Sequence, residues 1–146
     1  MTHVVILSAQ ELRRSSAMQS YVDQFRGVGA TQVSIITLGQ LSKWRPTDPV
    51  PYVLDTRAVV RVQRRDRVSR RVIMPLANRT KRLRMWWGLA RNKPARQLLA
   101  TADLVYVDQV AAVPTAWLAS RRTPTTPYVT SPARATYLIG QIADSA

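Results

Sequence analysis

The sequence predicts a single Rossmann-like α/β domain over residues 1–146, a three-layer arrangement with a mainly parallel sheet of about five strands. Three observations predict it. Short β-branched runs alternate with stretches of helical periodicity along the whole chain. Several of those runs are continuously apolar rather than alternating, as strands covered on both faces are. The segment up to Leu38 reads strand, helix, glycine stop, strand, which is a βαβ unit. A chain of 146 residues with 46% apolar content can bury a core of ordinary size.

Val4 to Leu7 is the first buried strand. Ser8 then begins a capping-box pattern with Glu11, so a helix starts there or at Ser15-Ser16. Met18, Tyr21, Val22 and Phe25 form its packed stripe, with Leu12, Ser16, Gln19 and Asp23 apart from it. Gly27 and Gly29 stop the helix, and Val33 to Leu38 is the second strand. Gly39 to Pro51 reads as loop, because Pro46, Pro49 and Pro51 cannot donate to a ladder. Ala58 to Gln63 is expected as a strand. The basic segment 64–97 turns helical at least twice. Over Asn78 to Ala90, Leu83, Trp86, Trp87 and Ala90 share a face expected to enter the core; Lys81, Arg84 and Arg91 point away from it. Met85 and Leu89, beside Arg82, form a second, smaller apolar strip on the outside. Pro94 suits the first turn of a helix over Ala95 to Ala102. Leu104 to Val107 is a strand ended by Asp108, Val113 to Ser120 a helix, Tyr128 to Thr130 a short strand, and Ala133 to Ala143 the last helix.

Charge is the most lopsided property of the chain. Between Arg57 and Arg96 lie 14 of its 22 Lys and Arg residues and one acid, Asp66, so this window carries +13 of the formal +14. Solubility of a small domain asks for a net charge of only about 2–8. An anionic partner is therefore expected: a phosphorylated or lipid-linked substrate, an anionic membrane surface, nucleic acid or an acidic protein. Arg64, Arg65, Lys81, Arg82, Arg84 and Arg91 are the candidate contacts for phosphate or membrane. A merely solvated charged face is the alternative.

Other classes are excluded or disfavoured. The chain has no cysteine, which rules out disulfides and thiolate metal sites and suits a cytoplasmic setting. The first residues have no basic n-region and only a four-residue apolar run, so they form no secretory signal. No stretch reaches the roughly 18 apolar residues of a membrane span. Localisation is expected to be cytoplasmic, with peripheral attachment at the inner face of the membrane open. No cluster has metal-ligand spacing, and no metal or cofactor is expected. Asp48 and Asp55 flank the proline loop and read as turn formers. The single histidine, His3, opens the first strand, at the end away from a Rossmann ligand edge, and reads as structural.

In a parallel sheet, ligands bind beyond the carboxyl ends of the strands, where strand order reverses. Those ends are Ser8 to Gln10, Thr37 to Gly39, Asp108-Gln109 and Thr130 to Pro132. The first strand-to-helix turn, Ser8 to Glu11, holds no glycine, so the dinucleotide and P-loop phosphate cradles are both absent. Arg13, Arg14 and Ser15 follow it; they could hold a phosphate or carboxylate at a helix start, or form a solvated first turn. Asp108 with Gln109 could accept hydrogen bonds from sugar hydroxyls, or Asp108 could cap the next helix.

Three tracts carry a family resemblance: His3 to Leu7 followed by a helix rather than a glycine loop; Arg82-Leu83-Arg84-Met85-Trp86-Trp87-Gly88-Leu89-Ala90-Arg91 continuing to Leu99; and Ala102-Asp103-Leu104-Val105-Tyr106-Val107-Asp108 followed by Ala111 to Trp117. Their order resembles the N-terminal half of two-Rossmann (GT-B) glycosyltransferases, particularly those of high-GC Gram-positive bacteria. The resemblance implies an acceptor-side transferase domain lined by Arg13, Arg14, Ser15, Asp108 and Gln109. It also implies a separate donor-binding domain or subunit, because the family's second Rossmann unit has no counterpart before Ala146. The family's glycine-rich acceptor loop is missing too. No family catalytic residue transfers to a position here, and sugar transfer by this chain alone is not expected.

Overall fold

The computed structural model describes residues 1–10, 15–39, 44–54 and 70–145, without the side chains of 15 and 70–80. It is a mixed α/β fold around a five-stranded, all-parallel sheet in the order β3-β2-β1-β4-β5. The strands are β1 (His3–Ser8), β2 (Gln32–Thr37), β3 (Tyr52–Val53), β4 (Leu104–Asp108) and β5 (Tyr128–Val129). The helices are α1 (Ser15–Gly27), α2 (Arg70–Arg91), α3 (Lys93–Ala100), α4 (Val113–Ser120) and α5 (Pro132–Ser145), with one 3-10 turn, Val110–Ala112, leading into α4.

All six residues of β1 are buried, as expected of the central strand of a sheet covered on both faces. The sheet's two faces feed two cores. Ile6, Ile35 and Tyr106 pack against Met18, Val22 and Phe25 of α1 and Ile139 of α5. Leu7, Ile36 and Val107 pack against Met85 and Leu89 of α2, Leu99 of α3 and Ala116 of α4. Period-two alternation along β1, β2 and β4 sends each strand's side chains to both layers.

Helix α1 ends on Gly29 rather than Gly27. The Gly29 N–H donates to Arg26 O at 3.2 Å and the Ala30 N–H to Phe25 O at 3.0 Å. This is a Schellman closure, and Gly29 adopts the positive φ of 107° that it requires. A Cβ there would also stand 2.8 Å from Ala143 Cβ, so α1 and α5 meet through the glycine. Pro94 and Pro114 sit in the first turns of α3 and α4, as expected.

Three expectations change. The edge strand beside β2 is Tyr52–Val53, immediately after Pro51, in register with Ile36 and Thr37. The expected strand at Ala58 to Gln63 lies outside the described residues. Gln19, expected off the packed face of α1, is only 6% exposed. The third change concerns α2. Its two apolar faces are as the periodicity drew them, but they are exchanged: Met85 (0% exposed) and Leu89 (6%) enter the core, whereas Leu83 (53%), Trp86 (39%) and Trp87 (50%) face outward. The cause is close packing against the sheet edge. A Cβ on Gly88 would stand 2.9 Å from Leu54 Cβ, so the slim face of α2 presses on the chain after β3 and the bulky indoles cannot.

No helix among the described residues is long and apolar enough to cross a membrane.

Candidate functional site at the strand-order reversal

The order β3-β2-β1-β4-β5 reverses between β1 and β4, where Ser8 pairs in register with Asp108. On its other side Ser8 pairs with Thr37. Alternation places Thr37, Ser8 and Asp108 on the same sheet face as Ile35, Ile6 and Tyr106, the face covered by α1. A row of two hydroxyls and a carboxylate therefore closes the carboxyl end of the sheet, at the edge where α1 begins.

Each member is held differently. The Ser8 hydroxyl, wholly buried, donates to Asp108 Oδ2 at 3.0 Å and accepts the Gln10 N–H at 3.3 Å. Thr37 is wholly buried, yet its Oγ1 has no hydrogen-bond partner among the described residues, and neither does Gln10 Oε1. Buried polar atoms without partners are uncommon. Asp108 is half-buried. Burial pushes its carboxyl above the ordinary carboxylate range, and the Ser8 hydrogen bond offsets part of that rise. Beneath it, burial first, then the hydrogen bond to Tyr21 and the charges of Tyr21 and Asp108, push the Tyr106 phenol up.

Gln109 follows with φ 74° and ψ 141°, in a region that only glycine occupies at little cost. The strain turns the chain sharply out of β4 and exposes Gln109 at the mouth of the edge. Neither the 3-10 turn nor α4 has a side-chain cap, so Asp108 caps neither of them. Gln109→Gly is expected to raise folding stability by about 1 kcal/mol, the relieved strain outweighing glycine's entropy. Chemical denaturation checks this.

Asp108 also sets a pH dependence. A carboxyl whose folded pKa is raised stabilises the fold below its unfolded pKa, and that contribution is lost as pH rises through the folded pKa. Asp108→Asn keeps an acceptor for Ser8 without an ionisable group. Its stability relative to the parent is therefore expected to improve as pH rises through the Asp108 titration and to level off above it. Melting curves from pH 3 to 8 measure this; a difference that stays flat across the range contradicts it.

The other expected residues are placed as follows. Ser15 opens α1 at this same edge, with its side chain outside the description. Arg13, Arg14, Arg64 and Arg65 lie outside the described residues. On α2, Arg82 and Arg91 are exposed, while Lys81 and Arg84 are half-buried and engaged with neighbours. The Arg91 guanidinium lies 5.1 Å from the Trp87 ring centre, and Trp87 meets Trp86 edge-on at 5.1 Å. Arg82 and Arg91 therefore stand with the indoles on an outward face of α2 rather than beside Asp108.

His3 is structural, as expected. Its Nδ1 donates to Thr101 O at 3.2 Å, because a carbonyl can only accept, and its Nε2 shares a hydrogen bond of 2.8 Å with Ser34 Oγ. Asp48 is buried beside Arg26 at 3.6 Å and closes a turn with Arg45. Among the described residues no cluster of three or more His, Asp or Glu side chains is arranged to hold a metal ion.

The sequence pointed to Asp108 and Gln109 and to the carboxyl ends generally. It read Ser8 as the start of a capping box and placed Ser8 and Thr37 only within strand ends, since one hydroxyl among the chain's many Ser and Thr residues carries no further signal until strand register puts it in a row. Comparison with protein-family models, curated proteins and solved structures gives no match to this chain.

Proposed function

We propose that this chain is a glycosyltransferase-like, acceptor-side domain that holds a sugar or lipid-linked acceptor at the β1–β4 edge and relies on a second domain or subunit for the donor. The observation that carries this reading is the Thr37–Ser8–Asp108 row at the strand-order reversal, with the strained Gln109 beside it. A half-buried carboxylate accepts hydrogen bonds from sugar hydroxyls, and the Thr37 hydroxyl, which has no partner among the described residues, supplies a further polar group. The chain contributes no glycine-rich phosphate cradle after β1, which is why the nucleotide-sugar is assigned to a partner.

The outward face of α2 supports placement on an anionic surface. Leu83, Trp86 and Trp87 project beside Arg82 and Arg91, the composition of a helix that lies at a lipid interface. The domain would then work in the cytoplasm, at the inner membrane face, on a phosphorylated or lipid-linked acceptor.

The test is an amide-resolved NMR titration with short-chain prenyl-phosphate monosaccharides. Saturable shifts are expected at Ser8, Thr37, Asp108 and Gln109, and are expected to disappear in Asp108→Ala. Absence of saturable shifts at these positions with every sugar overturns the acceptor reading, and sugar transfer by the chain alone overturns the need for a second unit.

The exposed indoles also favour a second reading, single-stranded nucleic acid bound by stacking on Trp86 and Trp87 beside the cations of α2. Base–aromatic stacking contributes about 1–3 kcal/mol per base. Affinity should then fall by about 0.7 log units per log unit of salt for each phosphate contacted. No binding of a dT oligonucleotide at low salt removes this reading.

A further inference from the structure

A cleft of about 570 Å³ lies away from the β1–β4 edge, on the opposite face of the sheet, between α2, α3 and α4. Leu89 and Trp86 of α2, Leu99 of α3, and Leu118 and Ala119 of α4 give it apolar walls. Four cations, Lys93, Arg96, Arg121 and Arg122, stand on its lining, and none of its lining residues is acidic. All four are exposed, and among the described residues no ion pair joins any of them to a carboxylate. Arg121 is braced, its guanidinium 4.0 Å above the Trp117 ring. Thr115, also on the lining, is wholly buried, and its Oγ1 has no hydrogen-bond partner among the described residues.

We propose that this cleft binds one anionic, single-chain amphiphile, an alkyl or prenyl phosphate, with its chain along the leucine walls and its head on the Arg and Lys rim. Charge complementarity selects the head: unpaired cations without an acid repel a cationic ligand and leave a neutral one without a charged contact. The apolar walls select the tail, since inorganic phosphate would leave them in water. Size selects a small molecule over a protein. The volume falls within the roughly 300–1,000 Å³ of small-ligand sites. The 15 lining residues fall short of the roughly 20–30 that each side of a stable protein interface contributes. This site is independent of the acceptor reading, because it shares no residue with Thr37, Ser8, Asp108 and Gln109.

Calorimetric titration of the chain with dodecyl phosphate, below its micelle concentration, tests the proposal, with dodecyl maltoside and inorganic phosphate alongside. The Trp86 indole N–H resonance reports occupancy of the wall. Dodecyl phosphate is expected to bind one to one and to shift that resonance, while neither control saturates. Arg96→Glu with Arg122→Glu, on exposed positions that leave the core intact, is expected to weaken binding at least tenfold. Ala119→Trp, which fills the cleft, is expected to abolish it, with circular dichroism confirming the fold. Equal affinity for dodecyl maltoside, unchanged binding in the double variant, or binding that survives Ala119→Trp overturns the proposal. So does concentration-dependent dimerisation that Ala119→Trp removes while dodecyl phosphate does not bind, which would assign the cleft to a second copy of the chain.

Discussion

Met85→Ala is expected to cost about 2–5 kcal/mol of folding stability, the range for truncating a buried large aliphatic side chain. Trp87→Ala, on the same helix, is expected to cost about 1 kcal/mol or less. Met85 is 0% exposed and packs between the sheet and α2, so its removal forfeits transfer free energy and leaves a cavity that close-packed neighbours cannot fill. Trp87 is half exposed, and its contacts include the edge of Trp86 and the Arg91 guanidinium. Those contacts contribute about 0.5–1 kcal/mol at an exposed site. Urea denaturation of the two variants gives the comparison directly. If Trp87→Ala costs more than Met85→Ala, α2 faces the core with its indoles and the outward face described above does not exist.

The largest binding effect is expected from reversing charge on that face. Arg82→Glu with Arg91→Glu changes the local charge by four units at two exposed positions while leaving the half-buried, engaged Lys81 and Arg84 in place. Each basic residue near an anionic bilayer contributes about 1 kcal/mol, so removing two and adding two acids should lose about 2–4 kcal/mol. That corresponds to about 30- to 1,000-fold in affinity. Stability should change by about 0.5 kcal/mol or less for each position, apart from the loss of the Arg91–Trp87 contact. Co-sedimentation with anionic and zwitterionic vesicles, beside a melting curve, measures both. The parent should prefer the anionic vesicles and the variant should lose that preference. A variant that melts normally and still binds anionic vesicles like the parent makes the basic face of α2 a solvated surface.

Some elements were legible residue by residue. β1 and β4 read as buried strands because Val4 to Leu7 and Leu104 to Val107 are apolar at every position, a pattern that only a two-sided cover explains. The end of α1 was legible because glycine occupies positive φ at little cost, although the chain itself chose Gly29 over Gly27. Pro94 and Pro114 marked helix starts because a first-turn residue has no intrahelical N–H bond to lose. β3 was not legible. Two residues carry no periodicity, and Tyr52–Val53 is a strand only because Ile36 and Thr37 of β2 present free backbone groups beside it.

The α/β class, the mainly parallel sheet and the strand end at Asp108-Gln109 were determined by the sequence alone, since each rests on local pattern: apolar runs, helical spacing and punctuation by glycine and proline. The outward turn of Trp86 and Trp87 was decided by tertiary structure. Periodicity marks two apolar faces on α2 but cannot say which meets the sheet; the close approach of Gly88 to Leu54 decides it. Tertiary structure likewise brought Ser8, Thr37 and Asp108 into one row. Ser8 and Thr37 are 29 residues apart and Ser8 and Asp108 are 100 apart in the chain, and they meet because parallel register sets one carboxyl end beside the next. The cleft of Lys93, Arg96, Arg121 and Arg122 has the same origin, for charges from α3 and from the turn after α4 share one rim only once both helices have packed on the sheet.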